Sequence, residues 1–168
     1  MKQQGATLIQ TLFALGLLAL LTSIGTSTYR QISHNLQQQA SAETLAQALR
    51  SARSEALLRN RVVMLRALEG DWSNGWQMLL VQGGETLLQE YSARGNVRVV
   101  GNQPVAQRVR FSGLGVPLHE SGAFLSGTLQ VCAAPGQDKL YQVVLSRSGR
   151  VRVLHAPANK PLCDDRLN

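Results

Sequence analysis

Met1-Lys2-Gln3-Gln4-Gly5-Ala6-Thr7-Leu8-Ile9-Gln10-Thr11-Leu12-Phe13-Ala14-Leu15-Gly16-Leu17-Leu18-Ala19-Leu20-Leu21 opens the chain, and after Lys2 no charged residue occurs until Arg30. A helix of about 20 apolar residues spans the roughly 30 Å hydrocarbon core of a bilayer. The run therefore reads as a membrane-crossing helix. Lys2 precedes it, which puts the N-terminus in the cytoplasm and the body of the protein on the other side. A cleaved secretory signal and a plain single-pass anchor are the alternatives. The run is long for a signal peptide's apolar region, and no clear Ala-x-Ala cleavage site follows. The polar leader ahead of it is very short and stops at Gly5.

Helical periodicity continues past the apolar run. Ile32, Leu36, Ala40, Leu45, Leu49, Ala52 and Ala56 recur at spacings of three to five, close to one helix face. Good helix formers dominate this stretch, and no Pro occurs before residue 104. One helix is predicted from about Thr7 to about Arg59, on the order of 80 Å long. Its first half, 6–29, belongs in lipid or a filament core. Its amphipathic half, 30–60, packs on the remainder of the chain.

From Arg61 the pattern changes to period two. Arg61–Leu68 reads as a strand, and the turn Glu69-Gly70-Asp71 follows it. Gly75–Gln82, the Gly83-Gly84 turn and Glu85–Tyr91 come next. Further short strands are Val97–Val100, Arg108–Phe111, Gly127–Cys132, Leu140–Ser146 and Gly149–Val153. Short, closely spaced strands imply antiparallel sheets, and a helix followed by strands implies an α+β fold. The strands make up a β-rich, sandwich-like globular domain over 61–168. Trp72 and Trp76 are read as turn and core packing.

The chain has 168 residues, 44% of them hydrophobic and only 16% charged, which excludes a disordered polyelectrolyte. Aromatic residues make up 5%, too few for a stacking platform for single strands. Nucleophile elbows, phosphate loops, paired carboxylates and zinc spacings are absent from the sequence, so no enzyme, cofactor or metal is expected. His34, His119 and His155 are scattered. With the body outside the cytoplasm, Cys132 and Cys163 lie in an oxidising compartment and are expected to pair. That bridge would tie the C-terminal tail to the sheet.

The formal net charge is +7, and the positive excess is uneven. Between Asp138 and Asp164 there is no acidic residue, while Lys139, Arg147, Arg150, Arg152 and Lys160 fall in the same interval. On a strand, residues i and i+2 share a face, so Arg150 and Arg152 are expected to project together while Val151 and Val153 are buried. Arg147 extends the patch from the turn. Arginine's planar fork suits phosphate, and such a stripe would hold a nucleic-acid backbone without reading sequence. The same charges equally suit a solvated strand that protects a sheet edge.

The junction Gly5-Ala6-Thr7-Leu8-Ile9 resembles the leader of type IV pilins and pseudopilins. The order of elements is similar to that of the GspH/FimT family of minor pilins and pseudopilins. The stretch Ala52-Arg-Ser-Glu-Ala56, the Val62-Val63 strand, Val109-Arg-Phe111 with Gly113 and Gly115, Thr128–Cys132, and Val143–Ser146 leading to Gly149-Arg150 carry that similarity.

The resemblance implies that a prepilin peptidase removes residues 1–5. Ala6 then becomes a methylated N-terminus, and the chain joins other pilins in a filament anchored in the inner membrane, with its C-terminal domain in the periplasm. At position 10 the family almost always carries Glu, thought to pair with a neighbouring subunit's N-terminal amine. Gln10 departs from this and offers only a neutral hydrogen bond. Gly149-Arg150-Val151-Arg152 matches the Gly-Arg-x-Arg motif of FimT-type minor pilins, which are associated with DNA binding in natural transformation. The motif carries over to Gly149, Arg150 and Arg152. Arg147 and Lys160 are added for their charge and proximity. DNA bound through its phosphates is thus the leading expected partner. A structural minor pilin or secretion pseudopilin, priming or capping a filament, is the alternative.

Overall fold

A 52-residue helix, α1 (Leu8–Arg59), leads the chain. The computed structural model describes residues 8–93, 97–132, 139–157 and 162–164. Nine strands follow α1: β1 (Val62–Ala67), β2 (Gly75–Val81), β3 (Glu85–Ser92), β4 (Val99–Gly101), β5 (Arg108–Phe111), β6 (Pro117–Leu118), β7 (Gly127–Val131), β8 (Lys139–Leu145) and β9 (Val151–Pro157). Two compact units divide the chain, Met1–Leu36 and Gln37–Asn168.

In the first unit the described apolar side chains of α1 lie open. Leu8, Ile9, Phe13 and Leu20 are each two-thirds or more exposed. Among the described residues no helix is long and apolar enough to cross a membrane. The membrane crossing expected over 6–29 therefore rests on the uncharged run of the sequence and not on the structure.

In the second unit α1 buries Gln38, Ala42, Leu45, Ala46, Leu49, Ala52 and Ala56. This corrects the expected stripe at its N-terminal end, since Ile32, Leu36 and Ala40 are exposed. Ala42 and Ala46, one turn apart, take the place of Ala40 on the packing face. Four alanines among these seven residues let the helix backbone approach the sheets closely.

The helix ends in a Schellman motif. Asn60 adopts a left-handed φ of 48°. The Arg61 N–H donates to the Ala56 carbonyl at 3.2 Å and the Asn60 N–H to the Leu57 carbonyl at 3.3 Å. Asparagine tolerates this conformation, and the two bonds satisfy carbonyls that a helix end leaves open.

The strands form two antiparallel sheets. One runs β3-β2-β1-β5-β6 and the other β4-β7-β8-β9. Val63, Leu65, Val109 and Phe111 from the first sheet, and Leu129, Val131, Val143 and Leu145 from the second, join the helix face in one buried cluster. Trp72 and Trp76 belong to it, and the Trp72 indole N–H donates to the Val105 carbonyl at 3.0 Å. The described residues thus make an α+β fold of helix on antiparallel sheets.

Most strand bounds lie within a residue of expectation, and the larger departures are that the strand expected over Val97–Val100 occupies Val99–Gly101, that β6 is an additional strand, and that β9 runs Val151–Pro157 and not Gly149–Val153.

Cys132 and Cys163 form a disulfide with Cα atoms 5.9 Å apart. Beside it, the fully buried Gln130 donates from its amide to the Cys163 sulfur at 3.2 Å and accepts from the Leu162 N–H at 3.1 Å. The bridge and the amide hold the 3₁₀ turn Leu162–Asp164. Replacing both cysteines with Ala should lower the unfolding free energy by about 3–4 kcal/mol, the chain-entropy value for a loop this long. Urea unfolding measured by tryptophan fluorescence checks this.

Candidate nucleic-acid interface

The β8–β9 connection positions the basic residues. β8 and β9 pair through seven residues, ending at Leu145 opposite Val151. Beyond that pair the chain turns through Ser146-Arg147-Ser148-Gly149-Arg150. The Gly149 N–H donates to the Ser146 carbonyl and the Ser146 N–H to the Arg150 carbonyl, each at 2.9 Å. The Ser146 hydroxyl accepts from the Arg150 N–H at 3.0 Å and lies 3.0 Å from the Ser148 hydroxyl. This is a short hairpin loop closed by a glycine bulge, which requires a left-handed residue at its last position. Gly149 supplies it with φ 79°.

The bulge moves the start of the strand that carries the arginines. Arg150 is a loop residue opposite Ser146, not the first residue of a strand. The alternation expected for the arginines holds past the bulge: Arg150 and Arg152 are both exposed, as is Arg147, while Val151 between them is 8% exposed. Val153 is half-buried. The structure thus brings Arg147, Arg150 and Arg152 together on one hairpin with Gly149 buried beneath. Lys160, Gly5 and Ala6 lie outside the described residues. Gln10 is an exposed position of α1.

Two arginines from α1 also reach this hairpin. Arg53 Nε donates to the Gly115 carbonyl at 3.0 Å, and Arg50 Nη2 makes a long 3.4 Å hydrogen bond to the Val151 carbonyl. Gly149 sits directly on this arrangement. A Cβ at that position would lie 2.4 Å from the Gly115 oxygen and 2.9 Å from Arg53 Nε. The charge pattern of the sequence did not signal Arg50 and Arg53. They lie about 100 residues upstream and only the fold joins them to the turn.

Among the described residues, carboxylates pair with Arg59, Arg66 and Arg108. Arg50, Arg53, Arg147, Arg150 and Arg152 make no such pair there. Arg61, Arg98 and Arg110 also make none, but they lie away from the hairpin in sequence and strand order, and Arg110 lines a separate cavity of about 510 Å³ with Arg108, His119 and Glu120. Four exposed guanidiniums, Arg50, Arg147, Arg150 and Arg152, on two adjoining elements and with no described carboxylate partner, form a surface suited to an extended polyanion, with the half-buried Arg53 beside them. Among the described residues no group of His, Cys, Asp and Glu is placed to hold a metal ion.

The family model for the type II transport protein GspH matches residues 41–149. The chain belongs to the GspH family. Among solved structures it is similar to the type IV minor pilin FimU of Pseudomonas aeruginosa. In one crystal form of FimU the TM-score is 0.63 at 23% identity, covering 78% of this chain and 97% of that one. In a second form the TM-score is 0.59 at 23% identity, covering 74% and 97%. It is also similar to the minor pseudopilin EpsH of the type 2 secretion system of Vibrio cholerae, with TM-score 0.55, 16% identity and 74% and 99% covered. These likenesses establish the type IV pilin/pseudopilin fold. Among curated proteins, none matches the chain. The family match stops at Gly149, so Arg150 and Arg152 lie just beyond it.

Gly149→Ala places a methyl group against the Gly115 oxygen in a left-handed backbone, which costs roughly 1–2 kcal/mol from the conformation alone. The close approach adds to that. The variant should melt at a lower temperature than wild type by calorimetry, whereas Ser148→Ala, at an exposed loop position, should not.

Proposed function

We propose that the chain is a minor pilin that binds DNA without sequence preference through the Ser146–Arg152 hairpin and assists DNA uptake in natural transformation. The observation that carries this reading is the hairpin itself: Arg147 and Arg150 on its turn and Arg152 on β9 stand exposed about a Gly149 pin, with no described carboxylate paired to them. The Gly-Arg-x-Arg resemblance to FimT-type pilins supports DNA as the polyanion. Arginine and lysine replace counterions along the phosphates, so binding is electrostatic and salt-sensitive. Family membership supports association with other pilins.

In the same proposal, a prepilin peptidase cuts between Gly5 and Ala6 and Ala6 is methylated. The apolar half of α1 anchors the chain once across the inner membrane, with the N-terminus cytoplasmic and the C-terminal domain periplasmic. Exposed Leu8, Ile9, Phe13 and their apolar neighbours support this, since an aqueous surface of that kind needs lipid or neighbouring helices to cover it.

A second reading, a structural minor pilin or type II secretion pseudopilin, is favoured by the family match to a secretion protein and by the fold shared with EpsH. In that case the basic hairpin meets a neighbouring subunit.

Fluorescence anisotropy of a short mixed-sequence DNA duplex with the full chain in detergent, measured across a salt series, separates the two. The DNA reading predicts binding that weakens steeply with salt. The Arg150→Gln/Arg152→Gln variant should reduce the slope of log K against log salt by about 1.8, roughly 0.9 for each phosphate no longer neutralised. Absence of binding at low salt would favour the structural reading. Separately, Gln10→Glu should increase recovery of the chain in sheared filaments, because a carboxylate can pair with a neighbouring subunit's amine where an amide cannot.

A further inference from the structure

We propose that the phosphate-binding surface is built from two elements, with helix α1 supplying Arg50 as a further phosphate contact and Arg53 as the residue that sets the hairpin's position. This rests on the proposed DNA-binding reading and extends it to residues outside the Gly-Arg-x-Arg motif.

The geometry around Val151 points to Arg50. Its guanidinium donates to the carbonyl of Val151, the residue between Arg150 and Arg152. That single contact brings the charged end of an exposed helix side chain to the backbone that carries the other two arginines. A guanidinium has five N–H donors, and among the described residues Arg50 makes only this one side-chain bond, a long one. Most of its donor capacity stays available to an oxyanion. No described carboxylate pairs with it. Arginines on two elements around one backbone carbonyl suit successive phosphates of a backbone better than a single row on one strand.

Arg53 plays a different part. It is half-buried, and its Nε–H holds the Gly115 carbonyl at 3.0 Å. Gly149 is stacked on the same oxygen and on Nε itself, too close for any Cβ. Gly115 in turn takes a left-handed φ of 70° and lies against the Leu57 side chain of α1. The loop carrying Gly115 is thereby wedged between helix and hairpin, and Arg53 is the polar pin. Through it the helix fixes where Arg147 and Arg150 stand. A preorganised arginine surface loses less freedom on binding than a mobile loop does.

The two roles predict different signatures in the full chain bound to a short mixed-sequence DNA duplex. Arg50→Gln removes one cation and should reduce the salt slope by about 0.9. Arg50→Lys restores the charge and should restore the slope. Arg53→Gln should lower affinity several-fold with little change in slope, because no phosphate contact is removed. Arg53→Lys keeps the charge but places a methylene where Nε–H donates. It should therefore bind as weakly as Arg53→Gln and show faster hydrogen exchange at the Gly149 amide. If Arg53→Gln does not fold, Arg53→Lys and the Arg50 pair still decide the matter.

A wild-type slope in Arg50→Gln overturns the assignment of Arg50, and wild-type affinity in Arg53→Lys overturns that of Arg53. If both occur while Arg150→Gln/Arg152→Gln still lowers the salt slope, this inference fails and the DNA-binding reading stands. If the unaltered chain binds no duplex, both fail together.

Discussion

The C-terminal unit depends on burying one small-residue face of a helix against two separate sheets at once. Ala42, Ala46, Ala52 and Ala56 keep that face narrow, and Leu45 and Leu49 join Val63, Phe111, Leu129 and Val143 in one buried cluster. Neither sheet could shield both of its faces alone. The first has an edge strand, β3, that is exposed along nearly its whole length. The second ends on β9, whose outward residues Arg152 and Leu154 are also exposed. Because the helix packs this closely, its next residues round come within hydrogen-bonding reach of other elements, Arg50 of the Val151 carbonyl at the start of β9 and Arg53 of the Gly115 carbonyl in the β5–β6 loop. The basic surface is a consequence of the core.

Much of this was legible in the sequence, for identifiable reasons. The helix end at Arg59 showed because the three-to-four periodicity stops there and a period-two stretch begins. Strands such as Arg108–Phe111 showed because they alternate cleanly between bounding turns. β6 did not show: Pro117 and Leu118 make only two pairs with β5, and so short a bridge leaves no periodic trace. The start of β4 was misplaced because Val97 and Arg98 look like strand residues by type. Arg98 does accept from the Cys132 N–H, but regular pairing with β7 begins at Val99.

The candidate site was half legible. A charge count finds Arg147, Arg150 and Arg152, because an acid-free interval is a one-dimensional feature. The place of Arg150 depends on a bulge, and the bulge depends on Gly149 taking a left-handed φ that the alternating pattern around it does not announce. The helix arginines are invisible to any local reading, since Arg50 and Val151 are 101 positions apart. Glycines gave the other clue. Gly115 and Gly149 are needed where two backbones and a guanidinium meet, and close approach of this kind is a main reason for glycine in a folded chain.

The central claim is that a polyanion lies on the hairpin and the helix face behind it. Titrating the isotopically labelled chain with a short DNA duplex and following backbone and arginine side-chain NMR signals tests it most directly. The account predicts shifts concentrated at Ser146–Arg152 and at the Arg50 and Arg53 guanidinium groups, reversed by added salt. Shifts concentrated instead around Arg108 and Arg110, in the cavity on the other sheet, would contradict it.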